Sequence, residues 1–354
     1  MINTAVLNYH RFIDLRSQPL PITEFLRIYY YYIDDHPEVF WINPRVEHFY
    51  FDNAQELCLG VIIQYISTDS SDRFNAETTE IEQTVPDDEL TAMRVDFNTK
   101  INQILQRISA QDDALTRELK IYNYIADNVK YDDALAKEIS SEDKVSRPIM
   151  QSAYGAAIEQ STVCSGFSKL FLLLANSTGL ECLVQYGKLN GEGHQWNIIR
   201  IDGGYYNIDV TEPIITFEDK TFIDYTFFNV TDQQIMKTHI ISPQHLIESN
   251  IQVSYNVPVC DASENSFENL FALKVSGNSF NQTDYQQKIA RLNKYNISEL
   301  YFSFPEGSSQ TTAKNYFNAN YDQMETLASN YYKLERCFYY FDQTNSAFIK
   351  LNKK

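Results

Sequence analysis

The stretch STVCSGFSKLFLLLANSTG, residues 161 to 179, limits the fold more than any other part of the chain. Ser161 and Thr162 are residue types that cap helix N-termini. From Val163 the apolar positions Phe167, Leu170, Phe171 and Leu174 repeat at helical spacing. Gly179 stands where helices commonly stop. The stripe predicts a buried helix with Cys164 in its first turn. Free N–H groups and the helix dipole at that end stabilise a thiolate, more so with a protonated histidine close by. Ser165 and Gly166 are small, so a substrate backbone could approach. The plain alternative is that Cys164 is a small buried hydrophobe.

A thiolate needs a base, and the base needs an orienting group. Both candidates lie in GEGHQWNIIRIDGGYYNIDVT, residues 191 to 211. His194, Trp196, Ile198 and Arg200 alternate along one strand, and Asp202-Gly203 is a hairpin turn signal. The return strand runs from Tyr205 to Val210. With a two-residue turn Trp196 faces Asp209, and His194 faces Thr211. His194 and Asp209 are then diagonal neighbours on one face, within side-chain reach. A shift of one residue would put them on opposite faces.

Length and composition set the frame. A chain of 354 residues exceeds one ordinary core, so two or three domains are expected. Hydrophobic residues at 44% and charged residues at 21% indicate a globular chain. The net charge of −18 repels nucleic acid and anionic lipid, and no Lys/Arg cluster offsets it. Five scattered cysteines without a CxxC pair suggest neither a zinc knuckle nor a disulfide framework. Cys58, Cys182, Cys260 and Cys337 read as structural. No apolar run is long enough to span a membrane. The N-terminus lacks the basic start and apolar core of a signal peptide, so the chain reads as cytoplasmic. Had a signal been removed, it would be secreted or displayed on the cell surface.

Three sections are expected. Residues 1–95 read as a small α+β section: a helix in PITEFLRIYYYYIDDHP stopped by Pro37 and His36, strands in VFWIN, VEHFYFD and LCLGVIIQYIS, and a polar loop STDSSDRFNAETTE. The four tyrosines at 29 to 32 read as a packing face. Residues 96–250 hold the chemistry. There a helix near RVDFNTKINQILQRIS precedes a second with Leu115, Leu119, Tyr122, Ile125, Ala126 and Val129 on one face. DDALAKEISSEDKVSRP reads as a polar connection closed by Pro148. His239 and His245 follow the chemistry and read as surface or packing residues. Residues 255–354 read as βαβαββ, a small open sheet with helices on one face and no catalytic pattern.

Cysteine on a helix start, histidine 30 residues later and aspartate 15 residues after that form an ordered set. VCSGFSKLFLLL, GHQWNIIRIDGGYYNIDVT and YTFFNVTD together resemble the transglutaminase-like domain, a branch of the papain-like cysteine enzymes. NVKYDD and SAYGAAI resemble bacterial members, and DHPEVFWI resembles a leader section of long bacterial members. The specific match covers about residues 115 to 235. The resemblance implies an α+β, papain-like core in which a cysteine-bearing helix packs on an antiparallel sheet. It implies Cys164 as nucleophile, His194 as general base and acid, and Asp209 as orienting carboxylate. Trp196, Asn197 and Thr211 match flanking positions, and Tyr154 is a candidate second oxyanion donor. There are departures: Glu159 to Val163 hold no glycine before the cysteine, Tyr205-Tyr206 replace a Trp-Tyr pair, and Glu212-Pro213 follow the D-V-T. The implied reaction is acyl transfer on protein or peptide amides through a thioester, as protease, deamidase or cross-linking enzyme, with no cofactor or metal. The competing reading is an idle domain that keeps the fold as a protein-interaction module. Oligomeric state is left open.

Overall fold

The computed structural model describes all residues except 9, 11, 51–56, 66–86, 141–147, 218–219, 243, 249–250, 255, 337 and 342–344. The chain divides into two compact units. The first holds Met1–Arg200, Asp209–Glu212 and Gln233–Val259; the second holds Ile201–Ile208, Pro213–Asp232 and Cys260–Lys354. Residues 1–95 and most of 96–250 therefore share one unit.

In the first unit, the helix Ile22–Asp35 buries Tyr29 and Tyr30 and ends at His36, as expected. Three short elements escaped the pattern reading: the helix Ile2–Leu7 and the strands Phe12–Asp14 and Leu20–Pro21. VFWIN and VEHFYFD are not two strands but parts of one, Ile42–Tyr50, paired antiparallel with Leu57–Tyr65. Phe40 and Trp41 sit in the turn before it, edge to face at 5.4 Å, so aromatic packing and not pairing explains their burial. The polar loop at 67 to 80 lies outside the described residues.

Next come the helices Asp87–Leu105 and Ala114–Asn128. Asp113 caps the second, accepting from the Thr116 N–H at 2.8 Å. Its whole expected apolar face is buried. The stretch after it is not merely a polar connection, because Asp133–Ser140 forms a helix. Ala, Leu, Lys and Glu are strong helix formers, and Asp132 caps the turn by accepting from the Leu135 N–H at 2.9 Å.

The cysteine helix spans Cys164–Ser177, followed by Thr178 and Gly179. Its cap is Val163 and not Ser161 or Thr162. Those two residues form a short strand parallel to Lys130–Tyr131, and the Thr162 hydroxyl is already donated to Met150 O at 2.5 Å. Phe167, Leu170, Phe171 and Leu174 are all buried. The Arg117 guanidinium donates to Thr178 O at the far end, where a cation suits the helix dipole.

Gly166 serves packing within the turn. A Cβ there would collide with the Thr162 side chain. Gly166→Ala should therefore lower the thermal midpoint by roughly 2–12 °C, because overpacking costs about 1–3 kcal/mol and each kcal/mol is about 2–4 °C in a unit of this size. Calorimetry checks this; an unchanged midpoint would mean that Thr162 gives way freely.

The helix packs on Glu181–Leu189, the middle strand of an antiparallel set in which His239–Ile241 lies on one side and Glu192–Ile201 on the other. Leu189 faces Glu192 across Asn190 and Gly191, both with positive φ (53° and 88°). Asn-Gly is the residue pair that such a tight turn favours. This turn sets the register that places His194 opposite Gly187 and Trp196 opposite Gln185.

The second unit is built on a five-stranded sheet. Glu299–Ser303 pairs parallel with Leu273–Lys274 and antiparallel with Ser346–Lys353, which also pairs Tyr332–Leu334 and Tyr339–Phe341. The expected helices appear as Gln282–Tyr295 and Gln310–Ala328. The expected first strand, LFALKV, is present as the short strand Leu273–Lys274, while its Leu270 and Phe271 end the helix Phe267–Phe271, capped by Ser266. The expected last pair of strands is three. The two-residue turn at Asp202-Gly203 falls between the strands Glu192–Ile201 and Gly204–Ile208, as read from the sequence. The fold class is α+β, as expected.

Candidate active site

Asp209 follows directly on the strand Gly204–Ile208, and its carboxylate is buried. Oδ2 accepts from His194 Nε2 at 2.7 Å, and Oδ1 accepts from the Thr211 backbone N–H at 2.9 Å. The expected imidazole–carboxylate pair therefore exists, 15 residues apart in the chain. Because Asp209 occupies Nε2, the Nδ1 side of the ring is the one left for another partner.

Cys164 is among the groups that act on the His194 ring. Burial works against the His194 cation, but attraction to Asp209 and its hydrogen bond, then the hydrogen bond and charge of Cys164, push its pKa up to about 10. Burial also opposes the Asp209 carboxylate. The charge of His194 and the hydrogen bonds from His194 and His239 outweigh it and hold Asp209 well below the usual carboxylate range. Cys164 is partly exposed, whereas Cys58, Cys182 and Cys260 are buried. Burial pushes the thiols of Cys182 and Cys260 well up. Cys337 lies outside the described residues.

Two residues of the H-x-W-N segment build the support. Trp196 is fully buried and stacked on His194, with ring centroids 5.9 Å apart and planes 25° from parallel. Asn197 is fully buried too, and its amide donates to Ser168 O at 3.1 Å and Leu183 O at 3.3 Å. It thus ties the cysteine helix to the sheet that carries His194. Tyr154 is buried at the start of a π-helical turn, Gly155–Glu159, with its ring 4.5 Å from Phe40 and 5.9 Å from Phe97. The ring of Tyr131 stacks on Phe167 at 6.5 Å, and Cys164 and Asp209 are among the charges acting on its phenol. Burial first, then those charges, push it up to about 12, so it stays a neutral donor.

Of the two roles expected for His239, surface or packing, the structure shows packing against Trp196 and adds a polar contact that the sequence did not reveal. This histidine is buried, and its Nε2 lies 3.1 Å from Asp209 Oδ2. The available signal was a histidine within the β-branched run Thr238-His239-Ile240-Ile241, a strand pattern that placed it indoors. Its partner is 30 residues away in the chain, so no local spacing reveals the pairing.

His194, Asp209 and His239 each offer a ligand atom, all within 4.8 Å of one another. The separations of 2.7 and 3.1 Å are hydrogen-bond lengths. Asp209 is satisfied by three N–H groups without an ion.

Residues 102–210 match the Transglutaminase-like superfamily. The match holds Cys164, His194 and Asp209 and ends before His239. A solved structure described as a TGase is 15% identical, with a TM-score of 0.32 over 50% of this chain and 46% of its own. A candidate cysteine protease from Cytophaga hutchinsonii is 13% identical, with a TM-score of 0.27 over 56% and 65%. The chain spans less than two thirds of either neighbour. No curated protein matches it. What this chain shares with known proteins is thus a stretch, residues 102–210, that is similar in sequence to the Transglutaminase-like superfamily.

Proposed function

We propose that the protein is a cysteine-dependent enzyme acting on amide bonds of proteins or peptides, with Cys164 as nucleophile, His194 as acid and base, and Asp209 as the group that orients His194. The observation that carries this is the buried His194–Asp209 pair at 2.7 Å, with the partly exposed Cys164 among the groups acting on the same ring. An imidazolium beside a cysteine at a helix start favours the thiolate.

The sulfur attacks the amide carbonyl carbon and a tetrahedral oxyanion forms. Backbone N–H groups of the first helical turn have no intrahelical partner, so the Cys164 N–H is free to meet it. The C–N bond then breaks, and His194 passes its proton to the leaving amine, giving a thioester. Water or a second amine attacks the thioester while His194 takes up its proton, and the thiolate returns. Asp209 holds the ring and balances its charge throughout. Trp196 supports this ring from one face. Tyr131 is the neutral phenol near the sulfur; Tyr154 packs among aromatic rings.

The test is direct. Unfolded casein or a glutamine-containing peptide is incubated with the protein, and three products are measured: new peptide termini, ammonia, and incorporation of a labelled primary amine. One should appear and vanish in Cys164→Ala. Cleavage assigns a protease, ammonia alone a deamidase, amine incorporation a cross-linking enzyme. If none forms across a broad peptide library, the reading as an enzyme is wrong and the interaction-module reading replaces it.

A further inference from the structure

We propose that His239 is a positioning residue: its Nε2–H clamps the Asp209 carboxylate, and through it the ring of His194. This rests on the reading of Cys164 and His194 as nucleophile and base.

Asp209 Oδ2 receives two imidazole nitrogens, His194 Nε2 at 2.7 Å and His239 Nε2 at 3.1 Å. The second arrives from a different strand, His239–Ile241, held antiparallel to Glu181–Leu189 with His239 opposite Leu189. The His239 side chain is completely buried. Its ring meets Trp196 edge to face at 5.1 Å, and Trp196 in turn stacks on His194. One indole therefore supports both imidazoles, which lie 5.4 Å apart.

The direction of the hydrogen bond follows from Thr238. Its Oγ1 lies 2.8 Å from His239 Nδ1 and 3.4 Å from Ile235 O. That carbonyl already accepts the Thr238 backbone N–H at 3.1 Å. A hydroxyl has one proton to give, and Nδ1 is the nearer acceptor. With Nδ1 accepting, a ring that carries one proton holds it on Nε2, aimed at Asp209. Thr238 selects the tautomer, His239 clamps the carboxylate, and the carboxylate orients His194. Without the clamp Asp209 keeps one side-chain donor and the Thr211 N–H, and gains freedom to rotate away from His194.

The full-length chain is alkylated with iodoacetamide at pH 7, and Cys164 is followed by peptide mass spectrometry in wild type, His239→Phe, His239→Gln, Thr238→Val and His194→Ala. His239→Phe keeps the ring but not the donor, and should slow labelling about tenfold, the lower end of the range for removing an orienting partner. His239→Gln places an amide N–H near the lost Nε2–H, and should stay within about threefold of wild type. Thr238→Val should fall between, and imidazole nitrogen NMR should show His239 leaving the Nε2–H tautomer. Equal slowing by Phe and Gln, or no slowing by Phe, would overturn the proposal. If His239→Phe does not fold, Thr238→Val decides: unchanged labelling with an unchanged tautomer overturns it. If His194→Ala itself leaves Cys164 labelling untouched, the underlying pair is absent. If His194→Ala slows it and His239→Phe does not, only the clamp fails.

Discussion

His194→Ala should slow alkylation of Cys164 at least tenfold at pH 6 and change the shape of its pH dependence. In the wild type His194 keeps its proton well past neutrality, with a pKa near 10, because Asp209 and Cys164 both favour the cation. An imidazolium that persists through pH 6 to 8 favours the thiolate throughout that range, so labelling should rise less steeply with pH in the wild type than in the mutant. Without the imidazole, reactivity follows the thiolate fraction of an ordinary thiol, which rises about tenfold per pH unit below about 8.5. A less basic thiolate is also a weaker nucleophile, which is why the expected gap is nearer tenfold than the thiolate fraction alone suggests. Buried Cys58, Cys182 and Cys260 serve as slow internal references. Equal slopes in wild type and mutant would show that the two side chains do not act as a pair.

Asp209→Asn should lower the thermal midpoint by roughly 10 °C and slow Cys164 labelling as well. Three N–H groups converge on the two carboxylate oxygens: His194 and His239 on one, the Thr211 backbone on the other. An asparagine has one oxygen, so its NH2 must face a donor, and the His194 cation loses its counter-charge inside the protein. Breaking a buried pair while one partner stays charged costs about 3–5 kcal/mol, and about 2–4 °C accompany each kcal/mol. Since the folded state holds Asp209 below its unfolded value of about 3.9, its contribution is present above that pH. It is lost as the pH falls through the folded value. The mutant should therefore show a flatter acid limb in a denaturation series. A midpoint and an acid limb like those of the wild type would show that Asp209 is not the anchor of this cluster.

Local pattern went furthest where one segment carries its own instruction. The stripe of the Cys164 helix, the face of the helix Ala114–Asn128 and the Asp202-Gly203 turn are all periodicities or turn chemistries within about twenty residues. The His194–Asp209 pair belongs to the same class, because a two-residue turn between short strands leaves little choice of register. Pattern failed where a short element depends on what packs against it. The strands Phe12–Asp14 and Leu20–Pro21 have almost no period to read. Thr162 has the right side chain for a cap, but its hydroxyl is used by Met150 O.

From residue order alone came a buried helix that opens on Cys164, and an imidazole and a carboxylate brought together by one hairpin. Only the tertiary structure decided that Asn197 braces the helix against the sheet, that Trp196 supports two imidazoles, and that His239 joins Asp209. Each of these contacts links strands or helices that are distant in the chain. Their partners are chosen by sheet order and by the need to satisfy buried polar groups, and neither leaves a mark in local periodicity.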